Sequence, residues 1–343
     1  MNGNQVANSI TVGFQSLFIT GTSSIGNSSH ALILKVNLAG EIIWQREMGA
    51  QTQGTGLICT ADDKLLMVGT SADLNGDQNV MLVKLDQEGN SIWERSFGGA
   101  MADQGKDVIE LENGDFMVIG TTQSFGAGVA SMYVIRTDAE GNEVWSRTFG
   151  GEGLDGGSEL VQIDAFEVML LGFTGSFGAG DRDIYMQSVS LNGDSLWSST
   201  YGGAAYEESQ AFAITDNGGF VMSNHSASEE PNHSLMATKL DANGSVIWEH
   251  HFGTSTEHEG GEGVLVDYDG DYIFLGRTNS FGNDEQVYFI KTDADGNVLE
   301  ELNFGAEGDQ RGLDIIQGAN SYAIVGTSTI NGDTDILLIS HPK

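Results

Sequence analysis

Apolar and polar residues alternate in short runs along nearly the whole chain, and the runs come in sets of four. One set comprises 105–111 (GKDVIEL), 115–121 (DFMVIGT), 130–137 (ASMYVIRT) and 143–149 (EVWSRTF), here called strands A to D. Alternation and β-branched or aromatic content mark each run as a strand, and no stretch carries a 3.6-residue period. A short acidic turn, ENGD, joins A to B. The C–D link is D-x-x-G-N, where Gly or Asn takes the positive φ that a hairpin turn needs.

The set recurs. GNEVWSRTFGG at 141–151 has close copies at 89–99, 193–203 and 244–254, and looser ones at 40–50 and 296–306. The marker aromatic falls on Trp44, Trp93, Trp145, Trp197 and Trp248, then on Glu300. A period of about 50 residues is the signature of an array of one supersecondary unit. Strand B is copied seven times: LFITGTS (17–23), LLMVGTS (65–71), FMVIGTT (116–122), VMLLGFT (168–174), FVMSNHS (220–226), YIFLGRT (272–278) and YAIVGTS (322–328). The fifth departs most, with Ser223 set against Gly120 and Gly172, and His225 against Thr122 and Thr174. Seven four-stranded units predict an all-β, seven-bladed β-propeller filling residues 1–343 as a single domain. A solenoid would need polar capping units, and none is evident. The last unit stops after its C strand, so a three-stranded seventh blade, or a natural chain extended upstream, is expected.

The pattern FGG…D-x-G…DFMVIGTT-x-SFGAG…[KR]TD-x-x-GN-x-x-W resembles the secreted seven-bladed β-propeller repeats of bacterial and archaeal surface proteins, over essentially the whole chain. The resemblance implies an extracellular or cell-surface module, with no common catalytic site to carry over. The D-x-x-G-x-x-x-W corner also resembles blades of quinoprotein-like propellers, whose repeats are shorter and usually number eight.

Composition narrows the partners. Net charge is −35, so nucleic acid and anionic membrane surfaces are poor ligands because nothing neutralises their phosphates. No apolar run reaches the ~20 residues that span a bilayer, so membrane insertion is not expected. Cys59 is the only cysteine, which excludes an internal disulfide; it reads as a small buried hydrophobe. The N-terminus has neither the basic nor the apolar region of a signal peptide, as a mature secreted chain would also lack them. A monomer is expected.

Candidate chemistry sits in the D–A and B–C loops, which share one face of a propeller. Six positions after the aromatic that ends each D strand (Phe97, Phe149, Tyr201, Phe252 and Phe304) stand Asp103, Asp155, Glu207, His258 and Gln310, with Asp309 adjacent. These could ring a ligand-binding face or hold a cation; alternatively, each carboxylate caps its own turn. Asp73, Asn75 and Asp77 have the 1-3-5 spacing of a calcium loop, as do Asn331, Asp333 and Asp335, although Lys84 stands where the first would need its twelfth-position glutamate. Calcium is therefore the candidate cofactor.

Five of seven histidines, His225, His233, His250, His251 and His258, lie within one stretch, interleaved with Glu229, Glu230, Glu257 and Glu259. Imidazole with carboxylate is a zinc-type ligand set. Lys35, Lys84, Arg136, Lys239 and Lys291, and likewise Arg46, Arg95 and Arg147, recur with the repeat and read as structural. Arg182, Arg277 and Arg311 do not, and project from the loop face. With His225, His258 or Tyr206 as base they would suit a polysaccharide lyase or hydrolase. The SFGAG loops (124–128, 176–180) and SFGND (280–284) have no following helix or lysine and are not phosphate cradles. Phe125, Phe177 and Phe281 are expected to pack over the blades. The leading reading is a non-enzymatic surface module binding a protein or glycan, or a rigid scaffold. A polysaccharide-active enzyme and a calcium-stabilised structural propeller are the alternatives.

Overall fold

The computed structural model describes every residue except 1–2, 14, 74, 228–232, 254–257 and 283. The described residues form seven antiparallel sheets in which strands follow one another in chain order; six sheets have four strands and the seventh has three. Sheet three, for example, runs Asp103–Glu110, Phe116–Thr122, Ser131–Thr137 and Glu143–Phe149. Sheet seven ends with its third strand, Asp333–Pro342. No helix is present among the described residues. This is the seven-bladed propeller architecture that the repeat predicts, including its three-stranded last blade.

The chain falls into two compact units, residues 1–177 with 186–198, and residues 178–185 with 199–343. Within each, the A strand of one sheet packs on strands B and C of the sheet before it. The central strands are covered on both faces, which is why they read as continuous apolar runs rather than alternating ones. Leu66, Val68, Val80 and Leu82 of sheet two meet Val108, Phe116, Val118, Tyr133 and Ile135 of sheet three in one such core. In the second unit, Val221, Leu235 and Ala237 meet Tyr272, Phe274, Tyr288 and Ile290.

Two repeated residues are explained by close approach. Strand A carries a bulge opposite the glycine of strand B, between Gly54 and Gly56 in sheet two. A Cβ on Gly69 would lie 1.9 Å from the Gln53 carbonyl oxygen, and one on Gly120 would lie 1.9 Å from that of Gln104. The pairing also corrects the alignment of sheet five. Asn224 pairs with Ser209 as Gly120 pairs with Gly105, and His225 pairs with Glu208 as Thr121 pairs with Gln104. Asn224, not Ser223, therefore replaces the glycine, and His225 replaces Thr121, not Thr122. Ser226 takes the Thr122 position.

The second repeated feature is the C–D turn. Gly89, Gly141, Gly193 and Gly296 all adopt positive φ. Each lies against the tryptophan of the preceding sheet, where a Cβ would meet the ring of Trp44, Trp93, Trp145 or Trp248 at 3.3 Å or less. The indole Nε1 of Trp44 donates to the Gln87 carbonyl at 3.2 Å, that of Trp145 to Leu191 at 2.9 Å, and that of Trp248 to Ala294 at 3.3 Å. Arg46, Arg95 and Arg147 lie over the tryptophan of their own strand, so these repeated cations are structural. Strand-C cations pair with repeat acids: Lys84 with Asp62 at 3.1 Å, Arg136 with Asp115 at 2.5 Å, and Lys291 with the fully buried Asp267 at 2.8 Å.

Gly69→Ala should lower stability by about 1–3 kcal/mol, because the bulged strand must move to admit the methyl group. The measurement is urea denaturation against wild type; an unchanged midpoint would contradict the close-approach account.

Candidate functional site

At the start of each A strand one residue is buried, the first in five sheets and the second in sheets one and seven: Gln5, Thr52, Asp103, Asp155, Glu207, Glu259 and Gln310 are all 8% exposed or less. Asp155 accepts from the Gly151 amide at 2.8 Å, Thr174 Oγ1 at 2.5 Å and Ser176 Oγ at 2.7 Å. Asp103 accepts from the Gly99 amide and Ser124 Oγ, each at 2.7 Å, and from Thr122 Oγ1. Glu207 accepts from the Gly203 amide at 2.9 Å. Asp103, Asp155 and Glu207 thus fasten the D–A turn to the B–C loop, and they are not open to a ligand. The position in sheet six belongs to Glu259, which accepts from Thr278 and Ser280 hydroxyls. His258, one residue earlier, is exposed. Asp309 is likewise exposed beside the buried Gln310. The serine of each SFG loop is thus spent on a carboxylate. The rings of Phe125 and Phe281 lean on Tyr133 and Tyr288 at centroid distances of 5.6 and 5.9 Å.

The calcium readings are not supported by placement. Asp73 Oδ1 accepts from the amides of Asn75 at 2.7 Å and Asp77 at 3.0 Å, closing an Asx-type turn. Those amides hold the Asp73 carboxyl below its ordinary range. The C–D turns use the same device: Asp138 Oδ1 accepts from Glu140 at 3.0 Å and Asn142 at 2.8 Å. Asn331 and Gly332 both take positive φ and form a two-residue hairpin turn, which leaves Asp333 and Asp335 within the following strand. Among the described residues no three His, Cys, Asp or Glu side chains are placed to hold a metal ion.

A polar cluster does form, on the second unit. The amide of each buried A-strand residue donates to the residue that precedes strand C of the sheet before: Asp155 to Ala130 at 3.1 Å, Glu207 to Arg182 at 2.9 Å, Glu259 to His233 at 3.0 Å, and Gln310 to Glu285 at 2.8 Å. Ala130, Arg182, His233 and Glu285 therefore occupy one repeat position. The next A-strand residue is Gly156, Glu208, Gly260 or Arg311, and its B-strand partner is Phe173, His225, Arg277 or Thr327. The bulge adds Glu262. Where Ala130 of sheet three and Gly156 and Phe173 of sheet four stand, sheets four to seven bring in Arg182, Glu208, His225, Arg277, Glu285 and Arg311.

Their contacts interlock. Arg182 Nη1 donates to Tyr206 Oη at 3.0 Å and pairs with Glu208 at 2.9 Å, and Tyr206 donates to Glu208. Arg277 stands between Glu262 at 3.6 Å and Glu285 at 3.5 Å, and Glu285 also pairs with Arg311. His225 Nε2 faces His233 Nδ1, the Tyr206 ring is 6.2 Å away edge-on, and the His258 ring lies tilted against His233 at 5.3 Å. His250 and His251 are elsewhere: His250 covers Trp248 at 4.9 Å, in the place of the repeat arginine, and His251 bonds Ser234 at 2.7 Å. Glu229, Glu230 and Glu257 lie outside the described residues. Glu262 and Glu285 were not singled out by sequence, although their departure from the repeat at fixed positions would have found them.

Burial, then Glu208, pushes the Tyr206 phenol up to about 12, so it is not a base at neutral pH. Burial, then the neighbouring His233 and Arg277, pulls His225 down to about 4, which keeps it neutral. Burial pushes Glu262 up to about 7 against the pull of Arg277. In the first unit, a cavity lined by Cys59, Asp63 and Lys64 has no poised nucleophile, because burial holds the Cys59 thiol up.

No family model matches the chain, and no curated protein matches it either. Solved structures do, at the level of fold. Puromycin hydrolase has a TM-score of 0.62 at 11% identity, covering 98% of this chain but 52% of that one, so the chain spans about half its length. Sqt1 of Chaetomium thermophilum, bound to the N-terminus of a ribosomal protein, has a TM-score of 0.54 at 12% identity and coverage of 98% and 97%. The β-propeller domain of the trilobed protease from Pyrococcus furiosus, described as having an open velcro topology, has 0.54 at 9% identity and coverage of 99% and 95%.

Asp155→Ala should cost about 2–4 kcal/mol by orphaning three buried donors. Chelator should leave the melting temperature of wild type unchanged, and a chelator-dependent melt would restore the calcium reading. Glu262 has a folded pKa above its unfolded value, so its stability contribution is present below about pH 4.5 and lost as pH rises towards 7. Glu262→Gln should therefore raise the melting temperature at pH 8, by about 1–3 °C, and not at pH 4.5. Equal effects at both values would contradict a raised Glu262.

Proposed function

We propose that the protein is a non-enzymatic binding module, acting outside the cell or at its surface, whose ligand face is the Arg182–Glu208–Arg277–Glu285 cluster. The observation that carries this reading is the pairing of charge there. Each arginine is matched by a carboxylate, so the cluster is rich in fixed donors and acceptors yet nearly neutral. Such a surface suits a hydroxyl-rich ligand, which takes many directed hydrogen bonds and brings no charge. Glycans are that class. An acidic polysaccharide is disfavoured, because its carboxylates would have to displace those already bound to Arg182, Arg277 and Arg311 inside a molecule of net charge −35.

The polysaccharide-active alternative retains one supporting group. Glu262, half protonated near neutrality and 3.6 Å from Arg277, has the titration of a general acid. Tyr206 and His225 do not complete it, since neither is poised to take a proton at neutral pH. A protein ligand is the second binding reading. Sqt1, whose fold is similar, is bound to the N-terminus of a ribosomal protein, but that likeness concerns fold alone.

A glycan array probed with wild type, Arg182→Met and Glu285→Gln should show a bound set of neutral glycans that both variants lose by tenfold or more. The melting temperatures of the variants report that they fold. Absence of any glycan binding by folded wild type would contradict the proposal. Release of shortened saccharides that stops in Glu262→Gln would replace it with the enzyme reading.

A further inference from the structure

The first unit carries an apolar surface on its own D–A and B–C loops. Met101, Phe125, Val129, Leu154 and Phe177, on the loops of sheets three and four, are 37% to 66% exposed. Backbone contacts tie these loops into one surface. The Met101 amide donates to Ser124 Oγ at 3.0 Å, next to Phe125. The Val129 amide donates to the Gly153 carbonyl at 2.9 Å. The Gly175 amide, two residues before Phe177, donates to the Leu154 carbonyl at 2.8 Å. Glycine lets the loops meet closely: a Cβ on Gly128 would lie 2.4 Å from the Gly153 carbonyl oxygen and 2.6 Å from that of Gly151.

The repeat does not require this composition. Phe125 and Phe177 recur with Phe281, but Met101, Val129 and Leu154 have no apolar counterparts of their size. Met101 stands four residues after the aromatic that ends strand D, where the next two sheets have Gly153 and Ala205. Leu154 answers to Ala102 and Tyr206. Val129, one residue before Ala130, answers to Asp181 and Asp284. Three large apolar side chains thus meet solvent at positions that other sheets fill with small or polar residues. A contiguous exposed apolar surface marks a binding face.

Its charge says what would cover it. Among residues 98–102, 123–130, 150–154 and 175–177 only Glu152 is charged. Glu152 is exposed, and its backbone lies against Gly128, two residues from Leu154 and beside the loop that carries Val129. Among the described residues no hydrogen bond or ion pair engages its carboxylate. Sheet two adds acids at the margin: Asp73 is exposed and Asp77 half-buried, and the adjoining Gln78 accepts from Gln104 of sheet three at 2.9 Å. No lysine, arginine or histidine stands on these loops.

We infer that this face docks a short peptide segment whose aliphatic or aromatic side chains flank a lysine or arginine. The apolar side chains cover Met101, Val129 and Leu154, and the cation meets Glu152. Other occupants fit less well. A glycan would find the Ser124 and Ser176 hydroxyls already bound to Asp103 and Asp155, each at 2.7 Å. A two-fold interface with a second copy, centred here, would bring Glu152 against Glu152 between chains of −35 each. The inference is independent of the glycan reading, which concerns the other unit.

The probe is a display library of random peptides about twelve residues long, panned on wild type and depleted on the double variant Val129→Lys, Leu154→Lys. It should enrich sequences with two or more apolar residues beside a lysine or arginine. A synthetic copy of the most enriched peptide should slow amide exchange in the full 343-residue protein within 99–102, 125–130 and 151–154. The double variant Met101→Ser, Leu154→Ser should bind it tenfold or more weakly. Glu152→Gln, which breaks no contact within the fold, should weaken binding about threefold to fivefold at low salt and not at high salt. Unchanged melting temperatures report that both variants fold. Enrichment of acidic or purely polar sequences, protection confined to other loops, or equal binding by the variants would overturn the inference. So would a library yielding no peptide that tells wild type from the depletion variant, or a wild-type dimer that Met101→Ser, Leu154→Ser dissociates.

Discussion

The contact on which the repeat depends is the tryptophan of one sheet against the C–D turn of the next. It joins three requirements at one point. The turn needs a residue at positive φ, which glycine supplies without strain. The ring needs a flat surface, which only a residue lacking Cβ leaves open. The indole N–H needs an acceptor, which the turn carbonyl provides. Trp145 with Gly193 and Leu191 in the first unit, and Trp248 with Gly296 and Ala294 in the second, are the same solution. In sheet six Glu300 stands at the tryptophan's position and reaches His341 at 3.3 Å.

With the outer rim held by this contact and the D–A turns held by buried carboxylates such as Asp103 and Asp155, the loop face is released from structural duty. Sheets three and four use Ala130, Gly156 and Phe173 at positions where sheets four to seven present Arg182, Glu208, His225, Arg277, Glu285 and Arg311. Those substitutions leave the cores unaltered and create an interlocked set of charges on one unit. Function here is a departure from the repeat, laid over positions whose backbone the repeat has already fixed.

Much of this was legible in the sequence, and the reason is periodicity. Strand number, the seven sheets and the three-stranded last sheet follow from counting, because each copy checks the others. The carboxylates were harder. Counting six residues from the aromatic finds Asp103, Asp155 and Glu207 but lands on His258, since the sheet-six turn is one residue longer and Glu259 does the work. The Asp73 loop matched calcium spacing because a carboxylate bound to amides two and four residues on has the same spacing as one bound to a cation, and the 331–335 run matched it because a two-residue hairpin turn leads straight into a strand that begins with acids. Sheet five misled in another way: with both glycine and threonine replaced, Ser223 and His225 were set one place out of register, and the strand pairing puts Asn224 at the glycine and His225 at Thr121. The charge pairing of the cluster was beyond sequence, since Glu262 and Glu285 meet Arg277 only through folding.

The interlock makes a demand on distant backbone that can be measured directly. Native-state hydrogen exchange of Trp145→Ala should show accelerated exchange at the 191–194 turn, whose Leu191 lies 46 residues away in sequence, while the 138–142 turn of its own sheet keeps its wild-type rate. Acceleration confined to the strand that carries residue 145, with the 191–194 turn unchanged, would mean that the sheets are held by their cores alone and that the tryptophan register is incidental.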